Sequence, residues 1–147
     1  MVHSQQRSAG AISPTADILL YVTDLVSDTD DTLASACELA GQHGAEIEVI
    51  HVVDVERSHS WPDAQMGAQH RLETLGRRLK KLGEGVKSLL LFGAPEDVIA
   101  KRATDVHVRA IAFGSNGSAL AAAQQKLISS VMQRVTCPVV TIHSKPL

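Results

Sequence analysis

The sequence predicts an α/β fold, in which a five-stranded parallel sheet is covered by helices on both faces within a single domain. The first observation is that short, nearly continuous apolar runs alternate with longer amphipathic segments, which is typical of buried parallel strands connected by helices. The second is an aliphatic core, since hydrophobic residues make up 44% of the chain and aromatic residues only 3%. The third is length, because 147 residues can bury one core and are too few for two.

The N-terminal part of the chain predicts two strands and the helix between them. Residues 17–23 and 47–53 are short apolar runs, which we interpret as the first and second strands. Residues 27–31 are polar and of the kinds that cap a helix, and apolar residues at helical spacing follow them. Gly44 comes directly after this segment, as expected for a residue with a left-handed backbone at a helix end.

The middle of the chain predicts a loop, a long helix and the third strand. Residues 55–63 are interpreted as a loop because they contain Trp61 and Pro62. Leucines at helical spacing then mark one face of a long helix, which ends at Gly83. Residues 86–92 form the predicted third strand.

The C-terminal part predicts two further helices and two further strands. Pro95, followed by two acidic residues, is typical of a helix start. Residues 108–113 form the fourth strand, which continues directly into Gly114. A loop of small residues is expected to extend to about Ser129, and a short helix and the last strand, Val139–His143, follow. The short helix is predicted to turn three apolar side chains inward: Val131, Met132 and Val135.

Composition and charge exclude several classes of function. The chain has 14 Lys and Arg against 16 Asp and Glu, a formal net charge of −2, so we expect no nucleic-acid partner. No apolar run approaches the ~20 residues of a membrane-spanning helix, so we expect no membrane partner. Residues 1–16 are polar and lack the apolar centre of a signal peptide. They are expected to form a flexible tail ahead of the domain, residues 17–147, and a cytoplasmic location is expected.

The residues that follow the predicted strands are the candidates for a binding site, because ligands of parallel sheets bind beyond the carboxyl ends of the strands. Thr23 and Asp24 lie at the end of the first strand, and Val52 lies at the end of the second. The Asp24 carboxylate can accept hydrogen bonds from a base amino group or a ribose hydroxyl, or it can cap the following helix.

Two further signals follow the fourth strand. Gly114 and Gly117 flank Ser-Asn116, and such glycines either bring backbone N–H groups close to a ligand or form a plain turn. Ser129 and Ser130 are predicted at a helix start, where free N–H groups attract anions, although serine also caps helices for purely structural reasons. Dinucleotide, P-loop, zinc and nucleophile-elbow motifs are missing, so no catalytic residue and no metal ligand is assigned.

Over residues 17–143, the sequence resembles the universal stress protein family. The resemblance rests on four motifs: Leu20-Tyr-Val-Thr-Asp24, Gly93-Ala-Pro-Glu96, Gly114-Ser-Asn-Gly117 with Ser129-Ser130-Val131, and Thr136-Cys-Pro-Val-Val140. It implies a Rossmann-like sheet of strand order 3-2-1-4-5 and a homodimer formed through the last strand. It also implies that the ligand is ATP or a related adenine nucleotide, and it leaves open whether Mg²⁺ accompanies it.

Carried over by position, the resemblance assigns roles to individual residues. Asp24 and Val52 would contact the adenosine, and Gly114 and Gly117 would approach ribose and phosphate. Ser129, Ser130 and Val131 would hold the phosphates. The candidate nucleotide-binding residues are therefore Thr23, Asp24, Val52, Gly114, Asn116, Gly117, Ser129, Ser130 and Val131. The chain departs from the family pattern in two places: residues 118–128 are two residues longer than usual, and Ser129 stands where the family has glycine.

Two functions stay open at this point. The first is an ATP-binding stress-response regulatory protein with an unknown partner and little or slow hydrolysis, since no base or arginine finger is positioned by a motif. The second is a dimeric interaction module of the same fold that binds no nucleotide, which the two departures favour. An enzyme on this scaffold is the least favoured, because the sequence has no cysteine nucleophile loop, no second Gly-rich loop at the first strand and no lysine directly beside the glycines.

Overall fold

The computed structural model describes residues 16–25, 28–54, 61–83, 85–105, 107–115 and 121–143. Strands and helices alternate along these residues. The elements are β1 (Ile18–Val22), α1 (Asp30–Gln42), β2 (Glu46–Val53), α2 (Trp61–Leu82), β3 (Val86–Phe92), α3 (Pro95–Arg102), β4 (Val108–Ser115), α4 (Ala121–Met132) and β5 (Val139–His143).

The five strands form one parallel sheet of order β3-β2-β1-β4-β5. This order confirms the predicted α/β architecture, including the central position of β1. The chain proceeds outward from β1 to β3 and then returns to place β4 on the other side of β1. The connections after β1 and β4 therefore leave toward opposite faces, and a crevice opens between the carboxyl ends of these two strands.

The core has two layers, because successive side chains of a strand point to opposite faces of the sheet. Leu19 of β1 packs in the layer that contains Leu33 of α1 and Leu72 of α2. Leu20 packs in the other layer, with Ile99 of α3 and residues of α4. The helices thus cover both faces of the sheet, as predicted. None of the helices in the described part of the chain has the length and apolar character to cross a membrane.

Helix α1 begins with a capping box. The Thr29 hydroxyl accepts a hydrogen bond from the Thr32 N–H at 3.2 Å, and the Thr32 hydroxyl accepts one from the Thr29 N–H at 2.9 Å. The acidic Asp30 and Asp31 occupy the first turn, where the helix dipole favours negative charge. At the other end, Gly44 has φ of +61°, so the predicted left-handed helix end is confirmed.

A buried ion pair attaches α3 to the sheet. Glu48 of β2 is 1% exposed, and Arg102 of α3 donates to both of its carboxylate oxygens, at 2.5 and 2.6 Å. Arg102 also donates to Asp105 at 3.1 Å. Hydrogen bonding to Glu48 raises the pKa of the Arg102 guanidinium. This pair determines where α3 lies, and α3 forms one wall of the crevice.

Two predicted helix boundaries are wrong. Helix α2 already begins at Trp61, so residues 61–63 belong to a helix and not to the predicted loop. Helix α4 begins at Ala121, eight residues before the predicted start at Ser129. The physical reason is that residues 118–135 contain neither glycine nor proline, and Ala121, Ala122 and Ala123 have the highest helix propensity.

The inward face of α4 also differs in part from the prediction. Val131 is fully buried, and Val135, just after the helix, packs against the same core layer. Met132 is 55% exposed, so its predicted inward orientation is wrong. Ile128 contributes to the buried face instead. The helix continues upstream of the serines, and Ile128 and Val131, three residues apart, lie on the same face of it. Of the expected N-terminal tail, residues 1–15 lie outside the part of the chain that the structure describes.

Candidate functional site

A cleft of about 600 Å³ lies at the carboxyl ends of β1, β2 and β4, between α3 and α4. It occupies the position where the strand order reverses, which is the usual ligand site of this architecture. Its volume is in the range of small-molecule sites. The described lining residues are Val22, Thr23, Asp24, His51, Val52, Asp54, Pro95, Glu96, Ile99, Phe113, Gln124, Lys126, Leu127 and Ser130.

The floor of the cleft is apolar and its rim is polar. Val22, Ile99 and Phe113 are buried residues of the core layer under α3 and α4, and half-buried Val52 and Leu127 pack against that layer. Carboxylates, one lysine and uncharged polar groups surround this floor. An apolar floor with a few convergent polar groups suits a ligand with a flat apolar part and a polar part.

His51 has a defined protonation at one ring nitrogen. Its Nδ1 lies 2.7 Å from the carbonyl oxygen of Thr23. Because a carbonyl only accepts, Nδ1 carries a hydrogen and donates it, and in the neutral ring Nε2 is then an acceptor. This hydrogen bond also fixes the end of β1 relative to β2, so His51 helps to shape the cleft.

A partly buried network of hydrogen bonds joins the end of β1 to Asp28. The Asp28 carboxylate accepts from the Tyr21 hydroxyl at 2.6 Å and from the Thr23 hydroxyl at 2.5 Å, and the Thr23 hydroxyl accepts from the Leu25 N–H at 2.8 Å. Leu25 has φ of 66°, a left-handed conformation that is strained for a leucine. Burial and the negative charge of Asp28 raise the pKa of the Tyr21 phenol. The network therefore fixes Asp24 at the edge of the cleft.

Gly114 lies behind the cleft, against Tyr21. A Cβ atom at this position would lie 2.5 Å from the Tyr21 hydroxyl oxygen, so the buried phenol requires a glycine here. The Gly114 carbonyl accepts a hydrogen bond from the Gln124 side chain at 2.8 Å. The sequence motif predicts either the close approach of a ligand or a plain turn at this glycine, whereas the close neighbour in the structure is Tyr21.

The two serines and Val131 are not at a helix start. They lie in the second half of α4, so the predicted anion site made of free helical N–H groups is wrong for these positions. Ser130 lines the cleft, Ser129 is exposed outside it, and Val131 is fully buried in the core. Asn116 and Gly117, also predicted as ligand contacts, fall outside the described residues.

The structure thus brings four of the predicted residues to the cleft: Thr23, Asp24, Val52 and Ser130. It adds His51, Asp54, Glu96, Gln124 and Lys126, which were not selected from the sequence. Asp54 and Glu96 had a usable signal in the sequence, because Asp54 directly follows β2 and Glu96 lies in the first turn of α3. Gln124 and Lys126 had no such signal, because the sequence predicts a loop for their segment. Among the described residues, no group of three or more His, Cys, Asp or Glu is arranged to hold a metal ion.

Comparison with known proteins decides the family. The sequence profile of the universal stress protein family matches residues 16–143, which is nearly the whole chain. The chain belongs to the universal stress protein family. No curated protein sequence matches it significantly.

Solved structures of universal stress proteins share the fold. One from Archaeoglobus fulgidus, in complex with dAMP, is 21% identical with a TM-score of 0.64, covering 85% of this chain and 97% of its own. A universal stress protein in complex with cAMP is 19% identical with a TM-score of 0.64, covering 88% and 98%. One from Lactobacillus plantarum is 19% identical with a TM-score of 0.68, covering 86% and 97%. These similarities confirm the predicted strand order and helix arrangement.

Proposed function

We propose that this protein binds ATP or a related adenine nucleotide in the cleft between α3 and α4. The observation that carries the proposal is the cleft itself, which combines an apolar floor with polar groups at the point where the strand order reverses. Two universal stress proteins of the same fold were solved with dAMP and with cAMP, and this supports an adenine nucleotide as the ligand class.

The lining divides into a part suited to the nucleoside and a part suited to phosphate. The purine would lie on the apolar floor near Val52, with Asp24 accepting a hydrogen bond from the base amino group or a ribose hydroxyl. Phosphate would lie against α4, where Lys126 and Ser130 are four residues apart and therefore share a helix face. Both side chains can donate hydrogen bonds to phosphate oxygens.

The function would be regulatory, with little or slow hydrolysis. Phosphoryl transfer needs several positive groups around the transferred phosphate and a group that orients the attacking water. In the described part of the lining, Lys126 is the cation, and Arg134, which follows α4, is bound to Asp97 of α3 at 2.6 Å in an exposed pair. We propose that nucleotide occupancy alters a surface that an unknown partner recognises, in a cytoplasmic stress response.

The test is direct nucleotide binding. Purified protein is denatured and the supernatant is analysed for released adenine nucleotide, and the emptied protein is titrated with AMP, cAMP and ATP by calorimetry. Ser130→Phe should reduce binding at least tenfold because the ring fills the cleft. Ser129→Phe is the matched control and should bind normally, because that neighbouring side chain is exposed outside the cleft. Wild-type protein that neither carries nor binds any adenine nucleotide would contradict the proposal.

The alternative is a dimeric interaction module, and the open edge of the sheet favours it. Strand β5 pairs with β4 alone among the described strands, and a groove of about 350 Å³ beside it is lined by Leu39, Val140 and Ile142 together with polar residues of α1 and β5. We propose a homodimer through Val139–His143, whether or not nucleotide binds. Light scattering of wild-type protein and of Val140→Lys tests it: the wild type should be dimeric and the variant monomeric.

A further inference from the structure

We infer that helix α2 docks an acidic segment of a partner protein along a stripe of basic side chains. The basic stripe consists of Arg71, Arg78 and Lys81, with Thr74 between the two arginines. It lies on the face of the sheet opposite the candidate cleft, because α2 packs in the core layer of α1 whereas the floor of the cleft belongs to the other layer. The inference therefore goes beyond the proposed function and does not depend on nucleotide binding.

Helical spacing makes the stripe continuous and keeps it free of acidic side chains. Successive members are three or four residues apart, so they are neighbours on the surface of the helix. Residues 70–82 contain one acidic residue, Glu73. Its neighbours at the same spacings are residues 69, 70, 76 and 77, none of which belongs to the stripe. Glu73 accepts a hydrogen bond from the Gln69 side chain at 3.1 Å instead.

The positive charge of the stripe is available to a partner. In the part of the chain that the structure describes, neither Arg71 nor Lys81 takes part in an ion pair, and both are exposed. Arg78 donates to Asp30 at 2.7 Å, and the Asp30 side chain is 95% exposed. An ion pair that exposed contributes little stability, so a carboxylate of a partner can take the place of Asp30.

A groove of about 310 Å³ lies beside the stripe and provides a seat for one apolar side chain. Its lining residues are Leu25, Asp28, His70, Arg71, Thr74, Leu75 and Arg78. Leu75 is buried and Leu25 half-buried, so they form an apolar patch between the two arginines. The Asp28 carboxylate, which already accepts two hydrogen bonds, keeps acidic side chains out of the groove and directs them to the arginines.

The dimensions and surroundings of the stripe favour a short peptide segment over nucleic acid. Arg71 and Lys81 are about 15 Å apart along the helix axis, a distance that an extended peptide covers with about five residues. A nucleic acid carries a charge on every nucleotide and would also lie against the neighbouring α1, where Asp31 and Glu38 are exposed. An arginine can bind a carboxylate through two parallel hydrogen bonds, and an interface needs an anchor in a pocket. The partner segment therefore combines glutamate or aspartate with one large aliphatic side chain.

The test is fluorescence anisotropy with the full-length protein and a labelled synthetic peptide, in low salt. In this peptide a central leucine is flanked on both sides by glutamates. A second peptide with glutamine in place of glutamate should bind at least tenfold more weakly, and a third with glycine in place of leucine at least threefold more weakly. Raising the salt concentration should weaken binding of the glutamate peptide, because salt screens exposed charges.

Variants on α2 test the location. Arg71→Gln and Lys81→Gln should each weaken binding of the glutamate peptide at least threefold, and together at least tenfold. Lys80→Gln is the matched control, since it removes the same charge from the same helix but has no neighbour in the stripe, and it should change binding less than twofold. All three side chains are exposed, so urea unfolding of the variants should match that of the wild type.

Several results would overturn the inference. One is equal binding of the glutamate and glutamine peptides, and another is a loss in Lys80→Gln as large as that in Arg71→Gln. An oligothymidylate that binds more tightly than the glutamate peptide would show that the stripe serves nucleic acid. Self-association in light scattering that Arg71→Gln abolishes would show that a second copy of this chain occupies it. Nucleotide titrations of the cleft are unaffected by any of these results.

Discussion

Replacing Gly114 with alanine should destabilise the protein through one atom, the Tyr21 hydroxyl oxygen. The new Cβ would lie 2.5 Å from that oxygen and 3.3 Å from the Tyr21 Cζ. Well-packed carbon atoms lie ~3.5–4.0 Å apart, so the hydroxyl contact is too close by about 1 Å. Tyr21 is fully buried and its hydroxyl is bound to Asp28 at 2.6 Å, so the ring has no room to withdraw.

The magnitude follows from the two single changes. Overpacking of this kind costs about 1–3 kcal/mol, and Gly114→Ala should lose that much free energy of unfolding. Tyr21→Phe removes a hydrogen bond to a carboxylate and should lose about 1.5–3 kcal/mol. In the double variant the clashing oxygen is gone, so the alanine adds little to the cost of Tyr21→Phe. The free energy of unfolding that the double variant loses should therefore be smaller than the sum of the two single losses by at least ~1 kcal/mol.

The assay is urea unfolding followed by circular dichroism for the wild type, both single variants and the double variant. Gly41→Ala is the matched control, because a Cβ at this position in the last turn of α1 meets nothing within 4 Å. This control should be neutral or more stable by up to ~1 kcal/mol. Strict additivity in the double variant would refute the view that Gly114 is required by the Tyr21 hydroxyl.

Two further predictions concern buried polar groups. Tyr21 is the only tyrosine, and burial together with Asp28 raises its pKa, so tyrosinate absorbance should appear only as the protein unfolds. The unfolded state loses this proton near pH 10 and the folded state keeps it, so stability should fall as pH rises above ~10, less steeply in Tyr21→Phe. Arg102→Met should lose about 3–5 kcal/mol in urea unfolding because it leaves Glu48 buried and unpaired. The control Arg109→Met breaks an exposed pair with Asp17 and should lose at most about 1 kcal/mol.

The strands were the most predictable part of the fold. Residues 86–92 and Val139–His143 were predicted residue for residue, and the other three strands differ by one or two positions. The reason is that a parallel strand covered on both faces must be apolar throughout, so its limits coincide with the limits of an apolar run. Strand order needed more than periodicity, and the resemblance to a family supplied it.

The start of α4 was not predictable from motifs. The small residues before Ser129 resemble a loop in composition, and the serines resemble a cap. The alanines at 121–123 and the absence of glycine and proline in residues 118–135 favour a helix instead. This error had a consequence for the site, since it placed Lys126 in a loop and Ser129 at a helix start.

Only part of the candidate site could be predicted from the sequence. Topology predicts Thr23 and Asp24, because the ends of parallel strands converge at one edge of the sheet, and the resemblance to the family adds Val52. The hydrogen bond from His51 to the Thr23 carbonyl depends on the register of β1 against β2, which periodicity does not reveal. The pairing of Tyr21 with Asp28 likewise depends on the path of the loop after β1.

The two sides of the cleft differ in rigidity, and this bears on ligand choice. On the β1 side, Asp28 binds both Tyr21 and Thr23, and His51 binds the Thr23 carbonyl, so the groups near Asp24 are held in place before any ligand arrives. On the α4 side, Lys126 is exposed and must lose side-chain freedom to hold a phosphate. The proposed nucleotide would therefore lose little order on the nucleoside side and more for each phosphate contact. We expect the nucleoside part of the proposed ligand to provide most of the affinity.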